Sequence, residues 1–258
     1  IFEDIYLSWN SHTPSITILH AVWSDNLQVF VPNKIQANKL IKKEATTINK
    51  IDHPVATVSY PYRDFLVKEH FSEYLVKKFQ VIELGLDQNF FPEHTTHNRN
   101  SIIYCGALEV RKNVYFLLEI FKKLYEIDTS YKLTIIGEGP ERNKLIKFIE
   151  FYNLPVSFLG RLDHAEVLKQ LHRHEIYIHT STKESFSYSL LEAKMSGLIT
   201  FAYEKLQIPS DFIDVPIKTF NSKDWCDQIN ANTRRSIVFD KSKYSVQRMT
   251  IETIKLAR

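Results

Sequence analysis

Between Ser101 and Phe201, short apolar runs alternate with stretches whose apolar residues recur every three or four positions. The runs at 102–105, 132–136, 156–159, 176–179 and 198–201 predict strands, and the periodic stretches at 114–126, 141–152, 164–173 and 188–196 predict helices. Strand and helix in regular alternation is the pattern of a doubly wound parallel sheet, so the expected class is α/β. Such sheets bind ligands beyond the carboxyl ends of their strands, which is where the pattern puts Gly106, Gly137 and Glu184.

The densest chemistry follows the fourth of these strands, in Glu184-Ser-Phe-Ser-Tyr-Ser-Leu-Leu-Glu192-Ala-Lys194. Leu190, Leu191, Ala193 and Met195 trace a helix from Tyr188 to Ser196, with Gly197 as its stop. Glu184 then lies on the loop before that helix and Glu192 about one turn inside it. The backbone N–H groups of Ser185, Phe186 and Ser187, with the helix N-terminus, suit a diphosphate. Two acceptor-only carboxylates flanking such a cradle can hold sugar hydroxyls on one side and ribose hydroxyls on the other. On spacing alone, the same residues equally describe one surface Glu and one capping Glu.

Read as Glu-x7-Glu, with Phe186 two residues after the first carboxylate and Leu-Glu-Ala at the second, the segment resembles the retaining glycosyltransferases of family 4, which have the GT-B fold. The family usually has glycine where this chain has Ser185 and Ser187, and Lys194 is a further departure, so the loop is expected to be stiffer and bulkier than the family norm. A second block, Ser101 to Asn113, is similar to the family's Gly-x-Leu-x-x-Arg-Lys-Asn segment, although Ala107 stands where many members have Arg. A bare Arg-Lys pair before a helix also describes solvated surface charge. Residues 131–140 and 156–161 resemble the next two strands of the same nucleotide-binding domain, in the family's order.

The resemblance implies two Rossmann-like domains with parallel sheets and a nucleotide-diphosphate-sugar donor as substrate, with no separate cofactor and no metal. It implies donor contacts at Gly106, Arg111, Lys112, Gly137, Ser185, Phe186, Ser187, Tyr188 and Glu192. Lys112 and Arg111 would stabilise the leaving diphosphate, Glu184 would hold the donor sugar and Glu192 the ribose. The expected function is retaining transfer of a sugar to a glycan or lipid-linked acceptor in surface polysaccharide biosynthesis. The alternatives are a GT-B nucleotide-sugar isomerase and a catalytically inactive nucleotide-sugar-binding subunit.

Residues 1–92 read as a partial acceptor-side domain, 93–100 as a polar linker, and 101–258 as the nucleotide-sugar domain ending in a helix. The first part offers strand candidates around Asp4–Leu7, Ile16–Leu19 and Val55–Val58. Lys78 to Asp87 is similar to the family's interdomain passage, with Glu83 and Leu84 as departures. A full GT-B domain opens on a strand and a glycine-rich turn, so about a hundred residues of it are expected to lie outside this chain; the other reading is a natural minimal protein. His20 directly follows a strand candidate. By position it resembles the family histidine that faces the donor's anomeric carbon, though a lone His after a strand also describes a packed or surface residue.

The chain has 258 residues, 44% of them hydrophobic, enough for a sizeable core. Its two cysteines, Cys105 and Cys226, suggest no disulfide framework, and a cytoplasmic enzyme is expected. Formal net charge is only +3, but Lys34, Lys39, Lys42, Lys43 and Lys50 cluster on a predicted amphipathic helix. That face is either simply solvated or docks on anionic lipid at the inner face of the membrane, where each nearby Lys adds about 1 kcal/mol. Aromatics are not interleaved with the lysines, so nucleic acid is not expected as a partner.

Overall fold

The computed structural model describes residues 16–19, 33–51, 53–69, 79–91, 97–233 and 239–257. Contacts divide the chain into two units: residues 1–87 with 207–209 and 242–258, and residues 88–206 with 210–241. Both sheets are wholly parallel, the α/β architecture the GT-B resemblance implied.

In the first unit, β1 (Thr17–Leu19), β2 (Val55–Thr57) and β3 (Phe79–Val81) pair in that order. The strand candidate at Asp4–Leu7 lies outside the described residues. β3 falls inside the stretch read as interdomain passage. Its pairing with β2 supplies the ladder bonds that make so short a run a strand. Helix α1 (Lys34–Lys50) starts on Asn33, whose side chain accepts from the Ile35 N–H at 2.9 Å. It buries Glu44, Thr47 and Ile48 and exposes Lys39, Lys42, Lys43 and Lys50, as the amphipathic spacing implied. Helix α2 (Tyr60–Glu69) buries Tyr62 and Leu66.

The terminal helix, Val246–Ala257, belongs to this first unit, whereas the sequence placed it at the end of the second domain. Backbone contacts decide the matter: the Leu86 N–H donates to Tyr244 O, the Val246 N–H to Leu86 O, and the Arg248 guanidinium to Glu83 O at 2.6 Å. A Cβ on Gly85 would stand 2.4 Å from Ser245 O, so only glycine permits this approach.

The second unit holds β4 (Asn98–Cys105), β5 (Lys132–Ile136), β6 (Val156–Gly160), β7 (His174–His179), β8 (Ile199–Tyr203) and β9 (Val215–Ile217), in the order β6-β5-β4-β7-β8-β9. β4 begins inside the stretch read as linker, because its first residues are polar and irregular. Asn100 has φ 56°, the register with β7 shifts between Asn98 and Ile102, and the Asn100 N–H donates to Glu175 Oε2 at 2.7 Å instead of to the ladder. Further along, Ile102, Ile103 and Tyr104 are fully buried, as a central parallel strand covered on both faces requires.

Helices α3 (Val114–Ile127), α4 (Arg142–Phe151), α5 (His164–Leu171), α6 (Tyr188–Met195) and α7 (Ser222–Asn232) complete the unit. α3 buries Val114, Phe116, Leu117, Leu118, Ile120, Phe121 and Leu124, each fully buried large side chain contributing roughly 1.5–3 kcal/mol. α5 is capped by Asp163, which accepts from the Glu166 N–H at 2.9 Å. β9 and α7 were not among the predicted elements; Trp225 and Ile229 of α7 join the core formed by α3 and the central strands. The strand order reverses between β4 and β7, so the crevice for a ligand lies where the loops after those two strands meet.

Candidate functional site

The loop after β4 turns at Gly106 and reaches Arg111 and Lys112 in a short 3-10 turn, Val110–Lys112. The loop after β7 runs through Thr180 to Glu184 and into α6. Side chain to backbone bonds clamp the two together: Thr180 Oγ1 donates to Lys112 O at 3.0 Å, and Thr182 donates to Arg111 O through both its N–H and its hydroxyl. Under this clamp the expected diphosphate ligands and the expected sugar ligand converge. Lys112 Nζ lies 2.5 Å from Glu184 Oε1 and Arg111 Nη1 3.5 Å from the same oxygen, while Arg111 also donates to Lys183 O at 3.1 Å.

The Glu184 side chain is 10% exposed and that of Lys112 15%. Burial alone would raise the Glu184 carboxyl, but its contacts with His179 and Lys112 outweigh burial and hold it well below the usual carboxylate range. His179, the last residue of β7, is itself held below its ordinary pKa of 6.5 by burial and is neutral at pH 7. The His179 ring and the Lys112 ammonium together hold Glu184 in its charged form.

Gly106 and Gly137 lie back to back at the ends of β4 and β5. The Gly106 N–H donates to Ile136 O at 3.0 Å, and a Cβ on Gly137, at φ 143°, would fall 1.9 Å from Gly106 O. The close approach leaves a cavity of about 220 Å³ bordered by Cys105, Gly106, Gly137, Glu138 and Arg161. Burial and the nearby Glu192 push the Cys105 thiol up to about 12, so it is not a nucleophile at neutral pH.

In the loop before α6, the Phe186 side chain turns into the core, 3% exposed and edge-on to Phe212 at 5.1 Å. Ser187 precedes the helix at φ 71° and ψ 85°, the left-handed region that glycine adopts without strain. Ser185 is not among the residues with positive φ, so only one of the two serines in the family's glycine positions bears that strain. Tyr188 is 42% exposed at the start of α6. Lys194, the other departure, is buried in an ion pair with Asp214, whose second oxygen accepts from the N–H and the hydroxyl of Thr200 at 2.9 Å each.

Glu192 stands apart from the Lys112 cluster. Its side chain is 12% exposed and accepts at 2.8 Å from His164 Nε2, at the first residue of α5. Burial raises the Glu192 pKa and the His164 contact opposes that rise. Two functional candidates thus escaped the sequence: His164 and His179. His164 opens α5 and His179 closes β7, and histidines without metal spacing carry no pattern that marks them. His20 lies outside the described residues.

The family model for glycosyl transferases group 1 matches residues 87–215, half of the chain. The chain belongs to this family. A glycogen synthase of Mycobacterium tuberculosis is 31% identical over 122 residues, 45% of this chain and 30% of that protein. The GtfA subunit of a UDP-N-acetylglucosamine–peptide N-acetylglucosaminyltransferase from Limosilactobacillus reuteri is 28% identical over 146 residues, 55% of this chain and 28% of that one. Among solved structures, a mutant of S. aureus TarM in complex with Fondaparinux, alpha-GlcNAc-glycerol and UDP superposes with a TM-score of 0.72 at 20% identity, over 94% of this chain and 50% of TarM. The shared fold is GT-B. The chain spans less than a third of the two curated relatives and half of TarM.

Proposed function

We propose that this group 1 glycosyltransferase binds a nucleotide-diphosphate sugar in the crevice between the loops after β4 and β7 and transfers the sugar with retention of anomeric configuration. The observation that carries the reading is the convergence of Lys112, Arg111 and Glu184 at the point where the strand order reverses. Two cations there match the charge that develops on a leaving diphosphate, and the carboxylate beside them is a hydroxyl acceptor held in its charged form. In the transfer, the bond between the sugar's anomeric carbon and the diphosphate breaks while the acceptor hydroxyl oxygen bonds to the same carbon from the same face, and the hydroxyl proton passes to the departing diphosphate oxygen. Lys112 and Arg111 stabilise the departing oxygens, Glu184 fixes the sugar through its hydroxyls and Glu192 holds the ribose. This chemistry is electrostatic and calls for no separate cofactor.

A UDP-sugar is the favoured donor, since the TarM structure is a complex with UDP and the GtfA relative is a subunit of a UDP-N-acetylglucosamine–peptide N-acetylglucosaminyltransferase. The proposed acceptor is a glycan or a lipid-linked sugar of a surface polysaccharide. For a lipid-linked acceptor, the exposed lysines of α1 would hold the enzyme on anionic lipid at the inner leaflet. Among the described residues no helix is long and apolar enough to cross a membrane. A thermal-shift screen of UDP, GDP, dTDP and ADP with their sugars tests the donor reading. A ligand at a hundred times its Kd adds about 2.7 kcal/mol, and no shift with any of them would reject it.

A further inference from the structure

The residues assigned above to the diphosphate and to the sugar neutralise one another, so a diphosphate that takes up the two cations must separate them from Glu184. Lys112 and Arg111 can turn to a diphosphate only by leaving Glu184, which is too buried to be resolvated freely. Beside the same carboxylate stands His179, whose ring already helps to hold it charged. His179 is 1% exposed, and neither of its ring nitrogens makes a hydrogen bond. Its Nε2 lies 3.3 Å from Glu184 Oε1, within ion-pair reach but without the geometry of a hydrogen bond. The ring stacks on Tyr177, at 6.1 Å between centroids and 22° between planes, and Tyr177 is anchored through its hydroxyl to Cys105 O at 3.0 Å. A buried polar ring left unpaired is destabilising, and its persistence is explained if another state pairs it.

We propose that His179 is a positioning residue that takes over Glu184 when the donor arrives: as Lys112 and Arg111 turn to the diphosphate, Nε2–H aligns on the Glu184 carboxylate and keeps it aimed at the sugar hydroxyls. A neutral imidazole suits the task better than another cation, because it supplies a donor without adding a charge that would compete for the diphosphate. The groups it faces are Glu184, Lys112 and Arg111, with Tyr177 behind it. The inference rests on the donor reading above.

The test compares UDP with UDP-N-acetylglucosamine on the wild-type protein, on His179→Leu and on His179→Gln, which keeps an N–H near the position of Nε2. UDP also draws Lys112 and Arg111 off Glu184, so its affinity should fall about threefold in His179→Leu and recover in His179→Gln. UDP-N-acetylglucosamine affinity should fall about tenfold in His179→Leu, with the acid limb of its pH profile moved to higher pH, and His179→Gln should restore most of both. A measurement without any variant follows the His179 Nε2–H resonance by NMR, which should move downfield with UDP-N-acetylglucosamine and not without ligand. Unchanged sugar-nucleotide affinity and acid limb in His179→Leu, a Gln variant as impaired as Leu, or a static resonance overturns the proposal while the donor reading stands. Failure of the wild-type protein to bind any nucleotide sugar overturns both.

Discussion

Lys112 and Glu184, 72 residues apart in sequence, meet at 2.5 Å with both side chains largely buried. One comes from the loop after β4 and the other from the loop after β7, so the contact exists only because those strands are neighbours in the sheet. It makes the expected diphosphate ligand and the expected sugar ligand one electrostatic unit, and it gives the Lys112 variants two separate readouts.

The first readout is catalytic. Lys112→Ala removes the cation nearest the proposed leaving diphosphate and should lower turnover by about two orders of magnitude or more. Initial-rate measurements at saturating donor check it. Activity within threefold of wild type would pass the role to Arg111.

The second is thermodynamic. Lys112→Ala leaves a buried carboxylate without its main partner and should cost up to about 3 kcal/mol of stability. Adding Glu184→Gln, which removes the stranded charge, should return part of that loss in chemical denaturation. Sign and window follow from the depressed Glu184 pKa. The stabilisation is fully present above the ordinary Glu value of 4.5 and fades only as the pH falls well below it.

Glu192 is expected to behave oppositely, since burial raises its pKa. Nucleotide affinity should weaken on acidification beginning above the range of an exposed Glu, because the protonated carboxyl is a poorer acceptor for ribose hydroxyls. His164 opposes the rise, so His164→Ala should move the midpoint to still higher pH. Glu192→Ala should weaken nucleotide binding at least about tenfold by loss of charge-assisted bonds. Calorimetric titrations across pH settle each point, and a midpoint unmoved in His164→Ala would break the link between the two residues.

Lys194→Ala should destabilise the fold by about 3–5 kcal/mol, as it strands Asp214 in the interior. Because the pair lies in the packing of α6 on β8 and not in the Lys112 cluster, UDP affinity of the folded fraction should change little. A large affinity loss with unaltered stability would instead make Lys194 a ligand residue.

Ser187→Gly relieves a left-handed conformation that costs an L-residue about 1–2 kcal/mol, against an entropic penalty of about 0.5–1 kcal/mol for glycine. The expected net is a gain of about 0.5 kcal/mol, visible as a small rise in Tm. A fall in Tm would show that the Ser187 hydroxyl, 3.4 Å from that of Ser189, contributes more than the strain removes.

Periodicity alone located the core of the second unit. The runs at 102–105, 132–136, 156–159, 176–179 and 198–201 all fall on strands, and the helix at 188–196 ends within a residue of α6, because burial on both sheet faces writes itself into local hydrophobic pattern. Local chemistry also marked Arg111, Lys112, Glu184 and Glu192. What remained hidden was long-range. The polar start of β4 is a strand only because β7 and Glu175 receive it, and the last helix joins the first unit through bonds to Glu83, Gly85 and Leu86. His164 and His179 acquire meaning from carboxylates 28 and five positions away in sequence that the turn into α6 brings against them. Hydrophobic period is a property of neighbouring residues, whereas a charge pair is a property of strand order, and only the folded sheet sets that.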